Sequence, residues 1–235
     1  MSEFNENQPE FYYGIGGDIV NGGVFERFPE LIPAVGYPHY WREDRAHKKM
    51  LLVGESNYFN DNDAPFSDFR DAEKWYKADE AKLIPENRKT DVSNYIGYRT
   101  FNKVFNIMNR VLSEAGVGHN EQDLLSESAF YNYFLRPADE NKGRGFKYVM
   151  QGIDKEVSGV ALSGIIEKIK PELVIFLSKL AAEEFAKFCG RNNLSYDGII
   201  IEHVAHPSSV WWNRDGGCRG KAKFEELLKK YWVNK

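Results

Sequence analysis

Four short apolar runs, separated by stretches with helical spacing, constrain this chain more than any other feature. Residues 50–53 (MLLV), 128–135 (SAFYNYFL), 173–177 (LVIFL) and 199–204 (IIIEHV) have the length and content of buried strands. Between and after them the spacing is helical. Phe101, Val104, Phe105, Met108, Val111 and Leu112 lie on one face of a helix that should stop at Gly116, and residues 148–170 read as a second helix. Ser178 stands where it can N-cap a third, running through Ala181, Ala182, Phe185 and Phe188 to Gly190, and residues 224–231 make a closing helix. Short strands alternating with helical crossovers predict an α/β fold: a three-layer αβα sandwich around a mostly parallel, four-stranded central sheet. The chain has 235 residues, enough for one such domain over residues 48–235. Residues 1–47 follow neither a strand nor a helix period and read as an irregular N-terminal arm packed on the domain.

Composition narrows the function classes. With 31 Lys and Arg against 35 Asp and Glu, the net charge is −4, so no overall basic excess holds a polyanion, and any nucleic-acid contact must be local. Aromatic residues make up 14% of the chain, which points to stacking surfaces as well as core. No apolar run approaches the roughly 18 residues of a membrane span, and the first residues lack the basic start and apolar stretch of a signal peptide, so a cytoplasmic protein without a membrane partner is expected. Cys189 and Cys218 have no CxxC partner, which excludes a thiolate zinc site and a four-cysteine iron–sulfur cluster and leaves idle thiols as the expectation. His203 and His206 have no third ligand at suitable spacing, so no metal and no cofactor are expected. The glycine-rich YYGIGGDIVNGG lacks the Gly-Lys-Ser/Thr ending of a phosphate loop, and a monomer is the expected state.

In sheets of this class ligands sit beyond the C-terminal ends of the strands, so the segments after strands one, two and four should converge on one crevice. They carry GESNYFNDNDAPF from Gly54, Asn132 with Arg136-Pro137 after it, and His206-Pro207-Ser208-Ser209. Glu55 at a strand end can orient or deprotonate a water, or be a solvated loop carboxylate. Asn132 lies in an otherwise aromatic strand, where its amide offers a donor and an acceptor to a planar ligand edge or to a neighbouring backbone. His206, held by a proline turn, suits a hydrogen-bond donor or acid, and His203 a structural role. Val210-Trp211-Trp212-Asn213-Arg214 places two large aromatics and a cation on a loop suited to stacking or wedging, unless the loop folds back onto the core.

These segments, in this order, resemble the uracil-DNA glycosylase superfamily. LLVGESNY is similar to its water-activating motif, Pro65-Phe66 to the Pro-Phe whose ring stacks on the base, FYNYFLRPADENKG to its strand with a base-reading Asn, and HPSSVWWNR to its His-Pro-Ser wedge loop. The resemblance implies hydrolysis of the N-glycosidic bond of uracil, or a related damaged base, flipped out of single- or double-stranded DNA. It gives Glu55 the role of water-orienting carboxylate and His206 that of donor to the departing base. Asn132 reads the base edge, Phe66 stacks on it, Tyr58 blocks a thymine methyl, and Ser56 and Ser208 sit beside the substrate. Val210 or Trp211 takes the wedge position, with Arg214 beside it on the DNA. Asn57 and Ser209 replace prolines of the family pattern, and the missing cysteines exclude the iron–sulfur form. Two other readings stay open. One is a non-catalytic module that binds nucleic acid, a nucleobase or a nucleoside. The other is a small serine esterase with Ser56 as nucleophile, Asn132 as oxyanion donor and His206 as base.

Overall fold

The computed structural model describes residues 25, 31, 33–35, 39–59, 70–77, 99–119, 124–139, 145–214 and 220–233. Its centre is a sheet of five strands: β1 (Ala34–Val35), β2 (Met50–Phe59), β3 (Ala129–Asp139), β4 (Leu173–Phe176) and β5 (Ile200–His203), in the spatial order β1-β3-β2-β4-β5. The four strands from β2 onward are parallel, as expected, and β1 is an addition. It comes from the segment read as irregular and pairs antiparallel with the start of β3, Ala34 opposite Phe130 and Val35 opposite Ala129. Two residues are too few to leave a period in the sequence, but their backbone groups satisfy part of an otherwise open strand edge.

Because side chains alternate along a strand, both faces of β2 and β4 must be apolar to lie between two helical layers. On one face Leu51, Val53, Tyr131, Tyr133, Val174 and Phe176 pack with α3 (Gly152–Ile169) and α4 (Lys179–Asn192) through Leu162, Ile165 and Phe185. On the other, Leu52, Phe130, Leu173 and Ile175 meet α2 (Arg99–Glu114) and α5 (Gly220–Leu227) through Phe105, Met108 and Phe224. The predicted stripe of α2 is buried from Phe101 to Leu112, and Gly116 takes a φ of 69° beyond its end, where the Val117 N–H returns to the Leu112 carbonyl at 2.9 Å. A short α1 (Ala72–Lys77) lies against α3 and β3.

Several element ends differ from the sequence expectation, and helix α3 begins at Gly152 and not at residue 148. Helix α4 runs through Gly190 and stops at Asn193, whose left-handed φ of 52° is one that Asn tolerates. The closing helix starts earlier, at Gly220, and its last turn, Leu228–Trp232, widens to π geometry. Strands β2 and β3 extend beyond Gly54 and Leu135, to Phe59 and Asp139, because each supplies the other's ladder. Their register shifts between Ser56, opposite Phe134, and Tyr58, opposite Ala138. Pro137 falls in that irregularity, where a missing N–H removes no ladder bond. No helix among the described residues is long and apolar enough to cross a membrane.

Candidate functional site

Strand alternation places Glu55 on the same face as Leu51 and Val53, at the C-terminal edge of the sheet. It is a strand residue, not the first residue of a loop. One carboxylate oxygen, Oε1, accepts the Phe146 N–H at 2.9 Å, and the other, Oε2, accepts the Ser178 hydroxyl at 2.6 Å. Ser178 is the predicted N-cap of α4, its Oγ accepting the Ala181 N–H at 3.3 Å, so one hydroxyl both closes a helix and holds the carboxylate. The turn that presents the Phe146 amide depends on Gly145, whose φ is 101° and where a Cβ would stand 3.1 Å from Glu55 Oε1. Each carboxylate oxygen has a second lone pair, so a half-buried Glu55 held by two donors can still accept from a water.

The Ser178 contact becomes visible through the strand register. In the parallel β2–β4 pair, Val53 lies opposite Phe176, and two residues on stand Glu55, still in β2, and Ser178, just past the end of β4. The Leu177 N–H, donating to the Val53 carbonyl at 2.7 Å, carries the pairing up to that point.

Asn132 belongs to the other face, directly opposite Gly54 in the β2–β3 register. A Cβ at Gly54 would fall on Asn132 Oδ1 and come within 2.9 Å of Phe130 Cζ, so the amide occupies the space that the glycine leaves. Its Nδ2 donates to Oδ1 of the buried Asn57 at 3.2 Å. Asn57, noted from sequence only as a departure from proline, thus helps to orient the amide. Ser56 is buried, and among the described residues its Oγ has no hydrogen-bond partner. Tyr58 is half-buried and packs against the core of the α3–α4 face.

His206 leaves β5 on the predicted turn. Its Nδ1 faces the Ser208 backbone N–H at 3.2 Å and the Ser208 hydroxyl at 2.7 Å. A backbone N–H can only donate, so Nδ1 is the acceptor and the neutral ring carries its proton on Nε2. Burial pushes the His206 pKa down, nearby Glu55 pulls it back up, and Lys103 pushes it down again, with a net shift below 6.5. Lys103, in the first turns of α2, fixes the loop by donating to the Pro207 carbonyl at 2.5 Å. The ring is therefore a neutral Nε2–H donor at neutral pH, within electrostatic reach of Glu55.

The wedge segment divides in two. Val210 and Trp211 are 63% and 49% exposed, and the Arg214 guanidinium carbon lies 4.7 Å from the centre of the Trp211 ring. Trp212, read as the second surface aromatic, is only 1% exposed and packs on Phe224 and Gly220. Successive residues of a tight turn point apart, and the apolar α5 face takes the second indole. Arg136, expected in a polar loop at the crevice, is instead fully buried. Its Nε and Nη2 donate to Asp154 Oδ1 and Oδ2 at 2.9 and 2.6 Å, Nη2 also reaches the Val149 carbonyl at 2.5 Å, and its charge lies over the Phe146 ring. It ties β3 to the start of α3.

Glu55, Asn132, His206 and Ser208 therefore lie at the C-terminal edge of the sheet, with Ser56 and Tyr58 on the same strand end and Val210, Trp211 and Arg214 in the segment that follows β5. Phe66 and Cys218 lie outside the described residues. Ser56 has no bond to His206, and His206 Nδ1 is held by Ser208, not by a carboxylate, so the relay of a serine esterase is not assembled. Among the described residues no cluster of three or more His, Cys, Asp or Glu could hold a metal ion. Set beside known proteins, the chain matches no family model and no curated protein.

Proposed function

We propose that the protein hydrolyses the N-glycosidic bond of uracil, or a related damaged base, extruded from DNA. The observation that carries this reading is the fixed tautomer of His206: a neutral imidazole with its N–H directed away from Ser208, close to a carboxylate held by two donors. A departing pyrimidine anion needs a donor that is not already committed, and the sugar cation left behind needs a water and a nearby negative charge.

In this reading Asn132 pairs with the edge of the flipped base. As the C1′–N1 bond breaks, its electron pair goes to the base, and the charge spread onto the carbonyl oxygen is stabilised by the His206 Nε2–H. Glu55 accepts a hydrogen bond from the water whose oxygen adds to C1′, and the water's proton ends on the released base or in solvent. Phe66 keeps its proposed stacking role from the family resemblance. The cytoplasmic place of action expected from the sequence goes with this reading.

The test is release of free base from uracil-containing oligonucleotides, single-stranded and duplex, at low salt. Wild-type protein should release base, and Asn132→Ala and His206→Ala should each slow release at least 100-fold, given that one well-placed donor contributes about 10²–10³ in rate. A folded wild-type protein that binds the oligonucleotide but releases nothing, beside an active control enzyme, would replace this reading with a non-catalytic base-binding module.

A further inference from the structure

We propose that the turn Phe146–Tyr148 is a second nucleic-acid contact. It would lie across Glu55 from the Trp211 loop, and through Tyr148 it would stack a base of single-stranded DNA neighbouring the target. This deepens the proposed function and rests on reading the crevice as a nucleic-acid site.

Tyr148 is 59% exposed, and outside the crevice the only other large apolar side chains comparably exposed among the described residues are Leu194 and Ile201. Its exposure does not come from a loose segment. Phe146 stacks on Phe134 with ring centres 4.2 Å apart, and its carbonyl receives the N–H groups of Val149 and Met150, both at 3.0 Å. The Val149 carbonyl is in turn held by buried Arg136, and the Phe146 N–H by Glu55. The turn is thus anchored at the catalytic carboxylate and presents a large aromatic outward two residues later. Leaving an aromatic in water on a preordered turn gains nothing for the fold, whereas it lowers the entropy lost when something stacks on it.

The turn also repeats a feature of the Trp211 segment. Lys147 Nζ lies 4.7 Å from the centre of the Tyr148 ring, as Arg214 lies 4.7 Å from that of Trp211. Each segment therefore offers one π-face and one cation, matching one base and one phosphate of a strand. On a chain of net charge −4, such local pairs rather than the overall field must position a polyanion. The occupant is single-stranded because both aromatic faces need unstacked bases, which a closed duplex does not offer.

The experiment is fluorescence anisotropy with a labelled uracil-containing oligonucleotide, single-stranded and as a duplex, on the full chain. Tyr148→Ala should weaken single-strand binding about tenfold, Tyr148→Phe should retain it, and Leu194→Ala should leave it unchanged. Lys147→Ala should make binding less dependent on salt. Binding by Tyr148→Ala within twofold of wild type, or no single-strand binding by wild type at low salt, overturns the contact. An equal loss on the duplex overturns the single-strand assignment. Base release separates this inference from the reading beneath it. If wild type releases no base yet Tyr148→Ala loses strand binding, the glycosylase reading fails and the contact stands. If Tyr148→Ala releases base with unchanged KM, the glycosylase stands and the contact falls.

Discussion

Replacing Ser178 by alanine should reveal how closely the candidate site is tied to the stability of the fold. The hydroxyl makes two bonds at once, accepting from the Ala181 N–H at 3.3 Å and donating to Glu55 Oε2 at 2.6 Å. Losing an N-cap of this kind costs about 1 kcal/mol. Losing a hydrogen bond to a carboxylate costs about 1.5–3 kcal/mol when buried, and the low end applies because Glu55 is only half-buried and water can replace part of it. The expected total is about 2 kcal/mol, or a fall of about 4–8 °C in Tm for a domain of this size. Urea denaturation at pH 7 should show the midpoint fall with the slope unchanged. The Glu55→Gln variant separates the two roles, because it removes the charged acceptor and leaves the cap. In the Ser178→Ala, Glu55→Gln double mutant the losses should fall short of the sum of the singles by about 1 kcal/mol. A total loss for Ser178→Ala below about 0.5 kcal/mol, or strictly additive losses, would refute the proposed sharing of one hydroxyl between helix and carboxylate.

Arg136→Met should destabilise the protein by about 3–5 kcal/mol, because among the described residues it leaves the buried Asp154 with the Tyr76 hydroxyl and the Gln151 N–H as donors. A urea midpoint close to wild type would show that the pair contributes little. His206 gives a pH prediction with a definite sign. Its folded pKa lies below 6.5, so its contribution to stability is fully present above 6.5 and is lost as pH falls through the lower, folded value. Base release by the neutral ring should likewise persist below pH 6.5 and fall only at more acid pH, and His206→Asn should lack that limb. A His206-dependent limb at or above 6.5 would contradict the assignment of the neutral tautomer.

The layered fold was legible because its signals are local. Apolar runs of four or five residues, the α2 stripe and the Ser178 cap each follow from side chains within a few positions of one another. What escaped the sequence depends on partners distant in the chain. Glu55 to Phe59 are polar or mixed and read as loop, yet they are strand because β3 continues beside them. Arg136 reads as the start of a polar loop until Asp154, from the next helix, is placed against it. Trp211 and Trp212 are identical side chains in adjacent positions, and only the packing of α5 decides which is buried. Glu55 and His206 stand out in the sequence at strand ends and Asn132 inside an aromatic strand, while the Phe146 amide, Ser178 and the Asn57 amide that contact Glu55 and Asn132 do not. Backbone donors have no sequence signature, and second partners become visible only once register is known.

The two borders of the sheet are unequal. Strand β3, with eleven residues, receives β1 over its first two, whereas β5 ends the sheet with four residues whose side chains alternate between half-buried and exposed. A four-residue border offers about two outward-facing residues for pairing, too few to template another chain. It also carries charge at the middle, where Glu202 is held by Lys223 at 3.1 Å, and an exposed His203 at its end. A protein that keeps exposed aromatics at one end of its sheet must avoid self-association elsewhere, and a short, charged border lets β5, the last strand of the sheet among the described residues, avoid becoming a point of aggregation.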